Sequence, residues 1–277
     1  MNLDTLYSRY KSGESLKILA KELNLSSGGL RYRFITNGYV LNKTGPYSSQ
    51  KVNHYYFSKI DSEIKAYLLG FFVADGCIYN HSSAKNSWYF EISLESSDGY
   101  ILELFRNEIA PTHRLYNRKF KKSRDQIAFR IASKQIANDI MFLGFPQRKT
   151  YAELHLPKIK KSLMSHFIRG YFDGDGSVGL YVTSRNYYVR QFTITCNCLT
   201  FLEEIQKVLP VKVFINPIKD KTACRLCTND WKSIKILYDY LYKDATYFLS
   251  RKKDKFIVAA ITPSELPELK HSQPCND

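Results

Sequence analysis

Two aspartates stand one hundred residues apart in matching surroundings, Asp75 in YLLGFFVADGCIY and Asp175 in FIRGYFDGDGSVG. Carboxylates brought side by side repel each other, and a hard divalent cation turns that repulsion into binding through oxygen. The hexapeptide GDGSVG around Asp175 also satisfies the glycine pattern of a dinucleotide loop, which needs a strand before it and a helix after it. Here the order is reversed. Leu163, Phe167, Ile168 and Tyr171 recur at helical spacing ahead of the glycines, and Val178, Leu180 and Val182 alternate after them as in a strand.

Each aspartate is therefore expected at the end of a helix. Gly70 and Ala74, like Gly170 and Gly174, are small residues four apart on one helical face, which lets two helices cross closely. Gly76 and Gly176 follow the aspartates and are expected in the left-handed position that closes a helix. Packing the small faces together brings Asp75 and Asp175 to adjacent C-terminal ends, where the helix dipoles also oppose negative charge. A divalent metal reverses the sign of that interaction. Asp75 and Asp175, with Ala74 and Gly174 immediately before them, form the candidate metal site.

The likeness between the two segments continues downstream. FEISLESSDGYILELFRNEIAP (90 to 111) matches QFTITCNCLTFLEEIQKVLP (191 to 210), a strand running into a helix in both. QIAFRIASKQIANDIMFLGF (126 to 145) parallels TACRLCTNDWKSIKILYDYL (222 to 241), and Lys149 and Lys252 recur late in each half. Each half reads helix, two strands, helix, two strands, helix. The fold class is α+β, with two pseudo-symmetric αββαββα repeats over 57–157 and 158–262. A polar linker covers 46–56 and a polar tail 263–277. Ahead of them, SLKILAKELNLSSGGLRYRFIT (15 to 36) reads as helix, turn, helix, with Asn24 at the turn and Ser26 or Ser27 capping the second helix. It is similar to a helix-turn-helix DNA reader within 1–45, with an ordinary helical hairpin as the other reading.

Lys and Arg number 41 against 26 Asp and Glu, a formal charge of +15, and there are 21 tyrosines. That balance favours a polyanion, nucleic acid first, bound through phosphate neutralisation and aromatic stacking. No run of about 18 apolar residues is present, and NLDTLYSRYKSG after Met1 lacks the apolar core of a signal peptide, so the expectation is an intracellular protein with no membrane partner. Six cysteines include Cys196/Cys198 and Cys224/Cys227, in strand-like runs that do not suit a zinc knuckle; buried, reduced thiols are expected.

With the repeated segments and their spacing in view, the chain resembles the two-motif, single-chain LAGLIDADG homing endonucleases over roughly residues 55 to 260. IRGYFDGDG is the closer copy, and LLGFFVADG departs by having Val73 where an acidic residue is usual. The resemblance implies that the two signature helices form the interface between halves and that four antiparallel strands from each half make a saddle over the DNA major groove. Asp75 and Asp175 would bind catalytic divalent metal, Mg²⁺ with Mn²⁺ as a substitute, and Lys149 and Lys252 would polarise the attacking water or stabilise the transition state. The implied activity, associated with intron homing, is hydrolysis of both strands of a long, asymmetric double-stranded DNA site, leaving short 3′ overhangs, by a monomer with internal pseudo-twofold symmetry. The alternative is a non-catalytic binder on the same fold, an intron maturase or a transcription regulator. Candidate DNA contacts are Arg31 and Arg33 in the N-terminal module. In the first repeat they are Arg118, Lys119, Lys121, Lys122, Arg124 and Arg130, and in the second Arg190, Gln191, Lys219, Lys221 and Arg225. Glu91, Ser93, Thr193 and Thr195 would line the saddle beside them.

Overall fold

The computed structural model describes residues 2–11, 14–41, 52–80, 87–119, 124–185, 187–219 and 221–266. The chain divides into two compact units, residues 1–50 and 51–277. In the first, helices α1 (Leu3–Lys11), α2 (Leu16–Glu22) and α3 (Ser27–Thr36) enclose Leu6, Tyr10, Leu19, Ala20, Leu30 and Phe34. Ser15 caps α2 by accepting from the Ile18 N–H, and Ser26 caps α3 by accepting from the Gly29 N–H. Asn24 turns the chain between them at a left-handed φ of 51°. Arg9 on α1 donates to both Glu14 and Glu22, tying the first helix to α2.

The second unit begins its first repeat with α4 (Glu63–Asp75), β1 (Gly76–Asn80), β2 (Trp88–Glu95), α5 (Gly99–Ile109), β3 (Tyr116–Arg118), β4 (Gln126–Ala132) and α6 (Lys134–Phe142). The second repeat is α7 (Lys161–Asp175), β5 (Gly176–Val182), β6 (Tyr188–Cys196), α8 (Leu199–Val208), β7 (Phe214–Pro217), β8 (Cys224–Thr228) and α9 (Trp231–Tyr242), followed by α10 (Ser250–Ala260). The strands form two four-stranded antiparallel sheets, ordered β1-β2-β4-β3 and β5-β6-β8-β7. The repeats differ at their ends: Lys149 opens a short 3₁₀ turn, whereas Lys252 lies in the first turn of α10.

Every residue of α4 from Ala66 to Val73 is buried, the pattern of a helix with neighbours all round. One face meets α7, and the other covers β1 and β2. The rings of Phe72 and Phe90 stack at 4.1 Å beneath the first sheet, and those of Phe172 and Phe192 at 4.9 Å beneath the second. These phenylalanines correct the expectation for Gly76 and Gly176. Both glycines have extended backbone, φ −87° and −80°, and lead straight into a strand. Glycine is needed there because a Cβ would lie 2.1 Å from the Phe72 or Phe172 ring.

Candidate active site

The crossing of α4 and α7 sets the site. A Cβ on Gly70 would sit 1.9 Å from the Phe167 carbonyl oxygen, and one on Gly170 would sit 2.0 Å from that of Tyr67. The contact is thus reciprocal, as a twofold axis between the helices requires. One turn on, a Cβ on Gly174 would meet Ala74 Cβ at 2.3 Å and Asp75 Oδ2 at 2.8 Å. The Asp75 carboxylate therefore lies directly over the opposite helix, beside Asp175.

Burial first, then the Asp175 charge, pushes Asp75 up to about 6. Burial likewise raises Asp175, against the pull of Lys149, a hydrogen bond from Tyr171 and the charge of Lys252. Lys149 Nζ donates to the Ala74 carbonyl at 2.9 Å, and burial lowers its pKa against the attraction of both aspartates. Lys252 is 7% exposed and donates to the Gly176 and Phe172 carbonyls. Burial and then the neighbouring Arg251 bring it down to about 8. The four candidate catalytic residues thus converge, with Lys149 and Asp175 lining a cavity of about 170 Å³ together with Tyr171 and Thr195.

Among the described residues no three His, Cys, Asp or Glu side chains gather as a metal cluster. The donor set at the crossing is two mutually repelling, partly desolvated carboxylates with backbone oxygens nearby, which fits a hard divalent cation that draws its other ligands from water and substrate. Of the two candidate carbonyls, Ala74 already accepts from Lys149. Gly174 provides the gap that admits the Asp75 side chain.

Asp173 has a role that spacing did not reveal. It is fully buried and accepts from Tyr67 Oη at 3.0 Å, from Tyr242 Oη, and from the Leu249 N–H at 2.7 Å. Burial raises it to about 6 against those hydrogen bonds. Val73 is its counterpart in α4, so this polar anchor exists in one repeat only.

The candidate DNA residues separate by strand parity. Arg118 donates to Glu91 and Ser93, and Arg130 lies 4.0 Å from Glu91 and over the rings of Tyr89 and Tyr116. Tyr79 stacks on Tyr89 and donates to Glu91, making a polar and aromatic platform on the face of the first sheet away from the helices. The tyrosines alternate with Ile78 and Phe90, a signal that period-two reading offers. Lys119 and Arg124 are exposed, Arg124 pairing with Glu95 at 2.8 Å. Lys121 and Lys122 lie outside the described residues. In the second repeat Gln191 and Thr195 are part-exposed, and Lys219, Lys221 and Arg225 are exposed. In α3, Arg33 is exposed and Arg31 partly so, on either side of the exposed Tyr32.

Arg190 is a correction. It is 9% exposed and shares the helix side of β6 with Phe192 and Ile194, donating to the Ala259 and Ile261 carbonyls at 3.0 and 2.9 Å. It closes the C-terminal end of α10 and offers nothing to a ligand on the open face. Thr193 is also buried, at 7% exposure. The cysteines depart from expectation too: Cys77 is exposed, and Cys196, Cys198, Cys224 and Cys227 are part-buried free thiols.

Two pseudo-symmetric αββαββα repeats, crossing through glycine-lined helices that end in paired carboxylates, define a class of protein by fold and site together. Residues 162–238 match the family model of the LAGLIDADG-like domain. The I-LtrWI LAGLIDADG homing endonuclease, solved bound to target DNA, superposes with a TM-score of 0.54 at 15% identity, covering 71% of this chain and 89% of its own. A mutant of I-SmaMI gives 0.51 at 14% identity over 70% and 90%. The chain therefore has the fold of the LAGLIDADG homing endonucleases and carries a LAGLIDADG-like domain in its second repeat. No curated protein matches it in sequence. Among the described residues, no helix is long and apolar enough to cross a membrane.

Proposed function

We propose that the protein is a site-specific DNA endonuclease that hydrolyses both strands of a long, asymmetric duplex as a monomer, leaving short 3′ overhangs. The observation that carries this reading is the juxtaposition of Asp75 and Asp175 at a tight, reciprocal helix crossing, with Lys149 and Lys252 converging on it. Similar solved structures include one bound to target DNA, and the charge of +15 suits a phosphate backbone.

In this reading Asp75 and Asp175 hold divalent metal, Mg²⁺ or Mn²⁺. When bound, it supplies Lewis acidity at the scissile phosphates and lowers the pKa of coordinated water. The chain's own residues do the rest. Asp75 and Asp175 are fixed by the crossing and need no reorganisation on binding. Tyr171 orients Asp175. Lys149, drawn down by burial, sits by both carboxylates, where a cation stabilises charge developing on a phosphate oxygen or its attacking water. Lys252 serves the second centre from α10. The platform of Arg118, Arg130, Glu91 and the tyrosines reads the major groove over one half-site, and Gln191, Thr195 and Arg225 read the other. The α2–α3 pair acts as a helix-turn-helix that adds contacts through Arg31 and Arg33.

The test is selection of cleaved sites from a randomised duplex library with Mg²⁺, with Ca²⁺ as a parallel condition. Recovery of one long asymmetric site cut on both strands is the expected result. Binding of a selected site with no metal-dependent cut would overturn the enzyme reading in favour of a non-catalytic binder.

A further inference from the structure

The two lysines at the site are held in different ways. Three consecutive residues immediately before Lys252 each have an anchor. The Leu249 N–H donates to Asp173 at 2.7 Å, within the second repeat. The other two anchors come from the first repeat: the Ser250 N–H donates to Tyr100 Oη at 2.6 Å, and the Arg251 guanidinium grips both oxygens of Asp98 at 2.8 to 3.1 Å. Asp98 is 7% exposed and stands at the start of α5. Its bidentate pairing fixes guanidinium orientation as well as distance.

The first repeat places Lys149 differently. The residue before it, Arg148, takes a left-handed φ of 58°, and Lys149 opens a 3₁₀ turn. Polar ties to the second repeat come four to seven residues later, where Thr200 donates to Glu153 and the Leu154 N–H to Cys198 Sγ, each at 3.2 Å, the Leu156 N–H donates to Glu204 at 2.6 Å and His155 pairs with the same carboxylate at 2.8 Å. Lys149 is thus secured at a distance, and Lys252 by the residues that adjoin it.

We infer that Asp98, with Tyr100, is a positioning residue for Lys252: the first repeat sets the basic group of the second repeat's centre, through Arg251 and the start of α10. The inference rests on the endonuclease reading and deepens it. Asp98 and Tyr100 stand at the start of α5, and each acts through α10. If each lysine serves one strand, loss of Asp98 slows one strand and leaves the other alone, an effect that general loss of folded protein does not produce.

The experiment uses the full chain and a selected duplex with both strands separately end-labelled. Wild type is expected to cut both, and Lys252→Ala identifies the strand that Lys252 serves. Asp98→Asn is expected to slow that same strand by about tenfold to a hundredfold, through kcat with KM little changed, as a shift of about 1 Å in a positioned group would do. The other strand keeps its rate, and Asp98→Glu restores part of the loss. In the metal-free protein, amide exchange over residues 249–253 should quicken in Asp98→Asn while exchange over 149–152 does not. Tyr100→Phe provides a milder second variant with the same strand preference should Asp98→Asn fold poorly. Equal slowing of both strands, or none, would overturn the inference while leaving the endonuclease reading intact. Failure of the wild type to cut either strand would instead remove that reading.

Discussion

At the scale of single residues, chemistry depends on what each carboxylate is prevented from doing. Asp75 and Asp175 are denied full hydration, and each opposes the other, so replacing either with Asn removes a charged oxygen from the proposed metal site without removing volume. Asp75→Asn and Asp175→Asn should each reduce double-strand cleavage by about a thousandfold or more, as loss of a principal electrostatic element does, while leaving gel-shift affinity within a few-fold. Undiminished cleavage would rule out a shared metal site. The raised pKa values also carry a sign. A carboxyl near 6 when folded and near 4 when unfolded stabilises the fold by taking up a proton, a contribution gained as pH falls through 6 and lost as it rises. A cation competes with that proton. Added Mg²⁺ or Ca²⁺ should therefore raise Tm more at about pH 7.5 than at about pH 5.5. Comparing samples with and without metal at each pH cancels His113 and His166, whose lowered pKa values oppose acid stability in both. Arg190 supplies the contrast with a DNA contact. Its two charge-assisted hydrogen bonds are buried or partly so, and Arg190→Met should cost about 2 kcal/mol of stability by denaturant titration. The salt dependence of DNA binding should stay unchanged, because no phosphate contact is lost.

At the scale of elements, the α4–α7 crossing is the part that tolerates least. Gly70 and Gly170 each face a carbonyl oxygen of the opposite helix at about half a normal contact distance for any added Cβ. Backbone cannot move aside as a flexible side chain can. Gly70→Ala should destabilise the second unit by about 3 kcal/mol or more, read as a fall in Tm, and should widen the separation of Asp75 and Asp175. Loss of metal binding before global unfolding is the expected order, measurable by calorimetry with Ca²⁺. Ala74→Gly, which removes the methyl facing Gly174, should leave the crossing closed.

At the scale of the whole molecule, residues 1–50 form a compact unit with their own apolar core. A chain lacking residues 1–45 should keep the thermal transition of the remainder. It should also protect a shorter stretch of DNA from nuclease digestion and bind more weakly; an unchanged footprint would reduce the N-terminal helical unit to a structural appendage. The two repeats share one continuous core, so they cannot be separated in the same way. Their non-equivalence is built into it, since Asp173 anchors the approach to Lys252 where Val73 merely fills space.

Much of this was legible from residue types and spacing alone. A repeat one hundred residues long, small residues four apart and an aspartate at each helix end together determine two crossing helices and a pair of carboxylates, because a close crossing admits little besides glycine or alanine. Period-two alternation also carries which strand residues face away from the helices; Arg190, expected among the DNA contacts, is in phase with Phe192 and Ile194, and its basic charge masked a burial that the phase already implied. Other features were beyond local reading. The need for glycine at 76, in extended rather than left-handed backbone, follows from where the Phe72 ring lies as it stacks on Phe90 of the neighbouring strand, which packing and not local pattern decides. The grip of Asp98 on Arg251 spans more than one hundred and fifty residues and joins the two repeats. Local pattern records the backbone period and the size of a side chain, whereas a hydrogen-bonded partner across the core exists only after packing has chosen which surfaces meet.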